Sequence, residues 1–164
     1  RWHGPSPRQG IPELKTPTNK RQRGVTLLEL MIVVAIIAII AAVGYPSYLE
    51  SVRKTRRADC AGALALLSNA MERHYSITGS YLGAATGGGN TGAPAVFDTA
   101  CPIDGGDATY NLTISAATAT TYALQAAPTG GQANDGCGTL TLSNTGVKGV
   151  ADAASGYDWQ KCWR

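Results

Sequence analysis

Residues 25–44 read VTLLELMIVVAIIAIIAAVG, twenty residues with a single charge, Glu29. As a helix rising ~1.5 Å per residue, the run reaches about 30 Å, the thickness of a bilayer's hydrocarbon core. It is apolar on every side, so it belongs in lipid or inside an assembly of helices. A cleaved secretory peptide is shorter and is followed by a small-residue cleavage site. Here Tyr45-Pro46-Ser47-Tyr48 follows, and helical sequence resumes. The cluster Lys20-Arg21-Gln22-Arg23-Gly24 precedes the run. Positive charge there holds the N-terminus in the cytoplasm and sends the C-terminal part across the membrane.

Charge is unevenly spread. Residues 1–24 hold six Lys/Arg and one Glu, a balance of +5, and the remaining 140 residues hold eight and ten, a balance of −2. The body of the chain is therefore no evident nucleic-acid binder. Residues 1–24 carry Pro5, Pro7, Pro12 and Pro17 and no apolar run, and are expected to be unstructured. The chain opens on Arg1 rather than Met, and a misplaced start is expected. Charged residues make up 15% of the chain, too few for a coiled coil or a charge-rich disordered tail.

Residues 47–78 predict an amphipathic helix. Cys60, Leu64, Leu67, Met71 and Tyr75 recur at steps of three and four and make one face. Arg53, Lys54, Arg56, Arg57, Asp59, Glu72 and Arg73 make the other surfaces polar. Pro46 removes a backbone donor and predicts a kink or a melted turn. Beyond residue 79 the composition changes. Thr86–Pro94 is a Gly-rich loop, and the stretches 110–114, 122–126 and 139–142 alternate as half-buried strands do. Their apolar face (Tyr110, Leu112, Ile114, Tyr122, Leu124, Leu140, Leu142) needs a cover, and the helix stripe is the one candidate. The expectation is an α+β fold: a long N-terminal helix, its apolar half protruding, packed on a small antiparallel sheet of three strands.

Cys60, Cys101, Cys137 and Cys162 show no metal-ligand spacing, and four cysteines allow three pairings. The inferred topology puts them outside the cytoplasm, where disulfides persist. A Cys137–Cys162 bond would close a Gly-rich, weakly apolar tail, which the chain-entropy model values at roughly 3–4 kcal/mol. That pairing leaves Cys60 with Cys101, tying the helix to the start of the sheet.

Glu29 is a carboxylate in an apolar run with no Lys, Arg or His between Val25 and Ser51. Such a charge costs several kcal/mol without a partner. A cut after Gly24 would give Val25 an α-ammonium one helical turn away, or within reach of Glu29 on a neighbouring chain. Unneutralised charge on each subunit then favours stacking subunits. A plain signal anchor with Glu29 near the interface is the simpler alternative, and the residues leave both open.

Lys20-Arg-Gln-Arg-Gly24 followed by Val-Thr-Leu-Leu-Glu-Leu-Met31 resembles the class III signal of type IV prepilins. The resemblance implies cleavage after Gly24 by a membrane prepilin peptidase, N-methylation of Val25, Glu29 as the acidic assembly residue, and Pro46 at the helix-melting position. Tyr110-Asn-Leu-Thr-Ile114, Thr121–Ala126, Cys137-Gly-Thr-Leu-Thr-Leu142 and Cys162-Trp-Arg are similar to PilE-type minor pilins, as is Ala70-Met-Glu-Arg-His-Tyr75 with Gly79-Ser-Tyr81. That group implies a Cys137–Cys162 disulfide as well. The implied organisation is a leader over 1–24, a transmembrane and filament-core helix over 25–46, and a periplasmic globular domain over 47–164.

The implied function is a structural subunit of a type IV pilus. It would sit in the bacterial inner membrane before assembly and in the extracellular filament afterwards, serving adhesion, twitching motility or DNA uptake. The implied partners are other pilin subunits, prepilin peptidase and the inner-membrane assembly platform. A type II secretion pseudopilin and a membrane-anchored binding module that never assembles are the alternatives. No nucleophile–base pair, phosphate loop or metal-ligand spacing points to an enzyme or a cofactor. The row Arg53, Lys54, Arg56, Arg57 reads as a solvated helix face or a subunit contact before it reads as a DNA site, so nucleic acid is not an expected partner. Asp98, Asp104 and Asp107 lack the EF-hand spacing of a calcium loop. His74 reads as a satisfied surface histidine, and Asn111-Leu-Thr113 is a glycosylation pattern placed within a strand.

Overall fold

The computed structural model describes Gly4 and residues 24–164. The basic cluster Lys20, Arg21 and Arg23 and the rest of the expected leader lie outside the described residues. The elements are helix α1 (Leu27–Thr78), strands β1 (Ala100–Cys101), β2 (Tyr110–Ala117), β3 (Tyr122–Pro128), β4 (Thr139–Ser143) and β5 (Lys148–Ala151), and a short helix α2 (Trp159–Cys162). The chain divides into a first unit ending at Ala41 and a second spanning Ala42–Arg164.

In the first unit α1 begins with a cap. Thr26 Oγ1 accepts the Glu29 backbone N–H at 3.1 Å, and the Thr26 carbonyl accepts that of Leu30 at 3.2 Å. Thr-x-x-Glu is the capping-box pattern, a start signal that the sequence carries openly. From Leu27 to Ala41 every residue is exposed, and apart from Glu29 every one is apolar. The helix is long and apolar enough to cross a membrane.

In the second unit the residues from Ala42 to Thr78 continue α1 without a break, through Pro46. The melted turn expected there is absent. A proline removes one hydrogen bond, and the turns on either side remain paired. Cys60, Leu64, Leu67 and Met71 are fully buried, as their spacing requires. Tyr75, at the end of the stripe, is exposed instead and stacks on Tyr81 with ring centroids 4.6 Å apart.

The sheet has five antiparallel strands in sequence order rather than three. The two missed strands sit at its edges. β1 is only two residues long, and the Gly149-containing β5 shows little alternation, so backbone pairing rather than side-chain pattern defines both. The central register is what burial dictates. Ile114, Leu124 and Leu142 stand opposite one another across three strands, and Leu112, Ala126 and Leu140 form the next row. All except Leu142 are at most 1% exposed, and with Tyr110 and Tyr122 they meet the α1 stripe in one core. Burying each leucine or isoleucine side chain contributes about 1.5–3 kcal/mol. The Thr86–Pro94 loop contains a single 3₁₀ turn at Thr86–Gly88.

Candidate functional site: an assembly helix and a disulfide-closed surface

Gly24 and Val25 lie in exposed, non-helical chain immediately ahead of α1. Glu29 lies in the first turn of α1, where unpaired N–H groups present positive potential. Its side chain is exposed beside the apolar surface of Leu27–Ala41. A charged group and an unsheathed apolar helix together demand an outside partner for both.

Two disulfides organise the second unit. Cys60 of α1 is bonded to Cys101 of β1, and Cys137, just before β4, is bonded to Cys162 in α2. All four sulfurs belong to fully buried residues.

Beside them is a polar cluster that sequence reasoning missed. Arg57, expected on a polar surface of the helix, is 3% exposed. Its Nε and Nη2 donate to Asp135 Oδ2 and Oδ1 at 2.8 and 2.6 Å. Tyr110 OH donates to the same carboxylate, and so does the Cys137 backbone N–H, at 3.3 Å. Gln132, in the 3₁₀ turn Gly130–Gln132, donates to the Arg53 carbonyl at 3.0 Å and lies 3.2 Å from Asp135 Oδ2. Burial alone would raise the Asp135 carboxyl, but Arg57 and Tyr110 outweigh it and hold it below the usual carboxylate range. Burial and the bond to Asp135 push the Tyr110 phenol well up. The cluster fixes the disulfide-closed tail to α1. The only signal for it in the sequence is an Arg at the flank of the apolar stripe, one turn before Cys60.

A second tether lies three to four turns further on. Tyr122 and Tyr81 donate to the two oxygens of Glu72 at 2.8 and 3.0 Å, and Ser68 shares a 2.7 Å bond with Tyr122. Burial and Glu72 push the Tyr122 phenol up to about 12. His74 Nε2 donates to the Leu82 carbonyl at 2.9 Å. Asp98, Asp104 and Asp107 are exposed, and no cluster of three or more metal-ligating side chains forms among the described residues. Asn111 is exposed on β2.

The tail carries both cationic and aromatic side chains. Lys148 of β5 lies with its Nζ 5.2 Å from the centre of the Trp163 ring, and Trp163 Nε1 donates to the Gly149 carbonyl at 2.9 Å. Trp159, Lys161 and Arg164 are exposed, and the Lys161 ammonium donates to the Gly156 carbonyl at 2.6 Å. Asp152 and Asp158 are the acidic neighbours in sequence, and Asp158 caps α2 by accepting the Lys161 backbone N–H.

The described elements are a long apolar-headed helix and a five-stranded antiparallel sheet. Residues 19–45 match the prokaryotic N-terminal methylation motif, and residues 46–141 match the family described as type IV minor pilin ComP, DNA uptake sequence receptor. The second match covers more than half of the chain, and the chain belongs to that family of type IV minor pilins. Two solved structures are similar to it. One is a type IV pilin from Shewanella oneidensis, 24% identical, with a TM-score of 0.41, covering 64% of this chain and 99% of that one. The other is the Neisseria meningitidis non-core minor pilin PilV, 19% identical, with a TM-score of 0.45, covering 67% and 95%. No curated protein matches the chain.

Proposed function

We propose that this minor pilin is a DNA receptor carried on a type IV pilus. The match of residues 46–141 to a family described as a DNA uptake sequence receptor carries the reading. The reading departs from the expectation, drawn from a body charge of −2, that nucleic acid is not a partner. Net charge averages over the surface, whereas Lys148 lies over the Trp163 ring and Trp159, Lys161 and Arg164 are exposed in the same tail.

In this reading residues 1–24 are removed by prepilin peptidase and Val25 becomes the methylated first residue. Residues 25–46 then serve as membrane anchor and later as filament core. Glu29 meets the terminal ammonium of a neighbouring subunit during insertion by the inner-membrane platform. Residues 47–164 fold in the periplasm and reach the outside on the filament. Like other members of a structural family, the subunit has no catalytic task.

The test is fluorescence anisotropy of a labelled DNA duplex with the full chain in detergent, repeated at rising salt. Each phosphate contact contributes about −0.9 to the slope of log K against log salt. Replacing Lys148, Lys161 and Arg164 by Ala should weaken binding and reduce that slope by roughly two to three. Binding unchanged in both respects would place the DNA elsewhere, and no binding at any salt would end the receptor reading.

A further inference from the structure

The C-terminal end of α1 turns back on itself through one glycine. Gly79 takes a φ of +75° and its N–H donates to the Tyr75 carbonyl at 2.7 Å, a left-handed cap that ends a helix and redirects the chain. Two residues on, the Tyr81 N–H donates to the Ala119 carbonyl at 3.3 Å, which pins Tyr81 to the turn between β2 and β3. Held from both sides, the Tyr75 and Tyr81 rings lie with centroids 4.6 Å apart and planes inclined by 31°. Tyr122 meets Tyr81 edge-on, at 4.7 Å and 71°.

The rings differ in access and in partners. Tyr75 is 36% exposed, and its hydroxyl has no bonded partner among the described residues, whereas Tyr81 is 7% exposed. Tyr81 OH donates to Glu72 Oε2 at 3.0 Å, and Glu72 is itself exposed. A phenol that loses an electron becomes a strong acid. A carboxylate already bonded to its hydroxyl can take the proton without rearrangement and hand it to water. Two phenol rings in contact, an open edge that an oxidant can reach and a base on the buried hydroxyl are what oxidative coupling of tyrosines requires.

We propose that Tyr75 and Tyr81 form an oxidative modification site, joined as dityrosine by a one-electron oxidant of the peroxidase class with hydrogen peroxide as the final electron acceptor. Each phenol gives up one electron and one proton, that of Tyr81 to Glu72 and that of Tyr75 to water. The two phenoxyl radicals pair their electrons in a bond between ring carbons ortho to the hydroxyls. The hydrogen on each of those carbons then moves to the neighbouring oxygen. The peroxide takes up the two electrons and two protons and leaves as two waters. Tyr122 stays unjoined, being 3% exposed and presented edge-on. The link closes the end of α1 covalently, and reductants that open Cys60–Cys101 and Cys137–Cys162 leave it intact. It does not depend on the DNA reading.

The test exposes the dilute full chain in detergent to a haem peroxidase with limiting hydrogen peroxide and follows dityrosine fluorescence. Reduction and cleavage after acidic residues then release residues 73–98, which hold Tyr75 and Tyr81 and no other tyrosine. That peptide is expected to be lighter by two hydrogens and to carry the fluorescence. Dityrosine formed between chains only, or only at other tyrosines, or not at all, would overturn the proposal. Tyr75→Phe removes a hydroxyl that holds nothing and should lose the fluorescence with melting unaltered, while Tyr122→Phe should keep it; the reverse pattern would equally overturn the proposal. Glu72→Gln should lower the yield, and added buffer base should restore it. A yield that is unchanged, or that buffer base does not restore, would overturn the role given to Glu72.

Discussion

Arg57 grips Asp135 through two parallel hydrogen bonds, 2.8 and 2.6 Å long, between residues 78 apart in sequence. The carboxylate is wholly buried and also receives Tyr110 OH and the Cys137 N–H, so every strong donor around it is used. Removing one charge of a buried pair strands the other, at a cost of about 3–5 kcal/mol. Asp135→Ala and Arg57→Ala should each lower stability by that amount in denaturant unfolding of the full chain in detergent. The double variant should be less damaged than the sum of the two.

The same carboxylate sets an acid limit. Its folded pKa lies below the unfolded value, so its contribution is fully present above about pH 4 and is lost as pH falls through the folded value. Wild-type melting temperature should therefore fall in acid, and the fall should shrink in Asp135→Asn.

Tyr122 sets the opposite limit. Its phenol, raised to about 12 in the fold, contributes stability in full below about pH 10, which is lost as pH climbs toward 12. The two-unit window amounts to roughly 2–3 kcal/mol. Tyr122→Phe should lessen the alkaline slope in a melting series by its own share, and the share of Tyr110 and Tyr81, whose phenols are also raised, should remain.

Each disulfide can be priced separately by the loop that it closes. Bonds spanning 25 and 41 residues should contribute about 3.5 and 4 kcal/mol in the chain-entropy model. Paired Cys→Ser substitutions at 137/162 and at 60/101 should cost those amounts by chemical denaturation, and intact mass without reduction should show four protons missing from the wild type.

Glu29 separates insertion from assembly. Glu29→Ala should still enter the membrane and still be cut, giving an N-methylated Val25 on N-terminal sequencing, yet be missing from sheared filaments. Thr26→Ala loses the oxygen that accepts the Glu29 N–H and should cost the helix start about 1 kcal/mol, with milder effects on filament content.

The sequence made the apolar surfaces legible because burial imposes period. The stripe from Cys60 to Met71 and the alternation in β2, β3 and β4 both lie where their spacing put them. Polar burial has no period. Arg57 looked like any flank arginine, and Asp135 sat in a Gly-rich stretch with nothing to mark it as its partner. The edge strands β1 and β5 were hidden for a related reason, since main-chain pairing leaves little trace in side-chain order. Thr26-x-x-Glu29 is legible as a capping pattern, because the cap is local and spans a single turn. The contact of Lys148 with Trp163 could not emerge from overall charge, as the fold brings together residues fifteen positions apart.

The Cys137–Cys162 disulfide and the Arg57 pair also define a path for mechanical force. A pull on a load held at the tail would reach Cys162, cross to Cys137 and the base of β4, and pass through Asp135 into α1. Tension arriving at the surface of the globular unit is thus carried to its helix along covalent and charge-paired links, and the sheet need not be peeled open strand by strand to bear it.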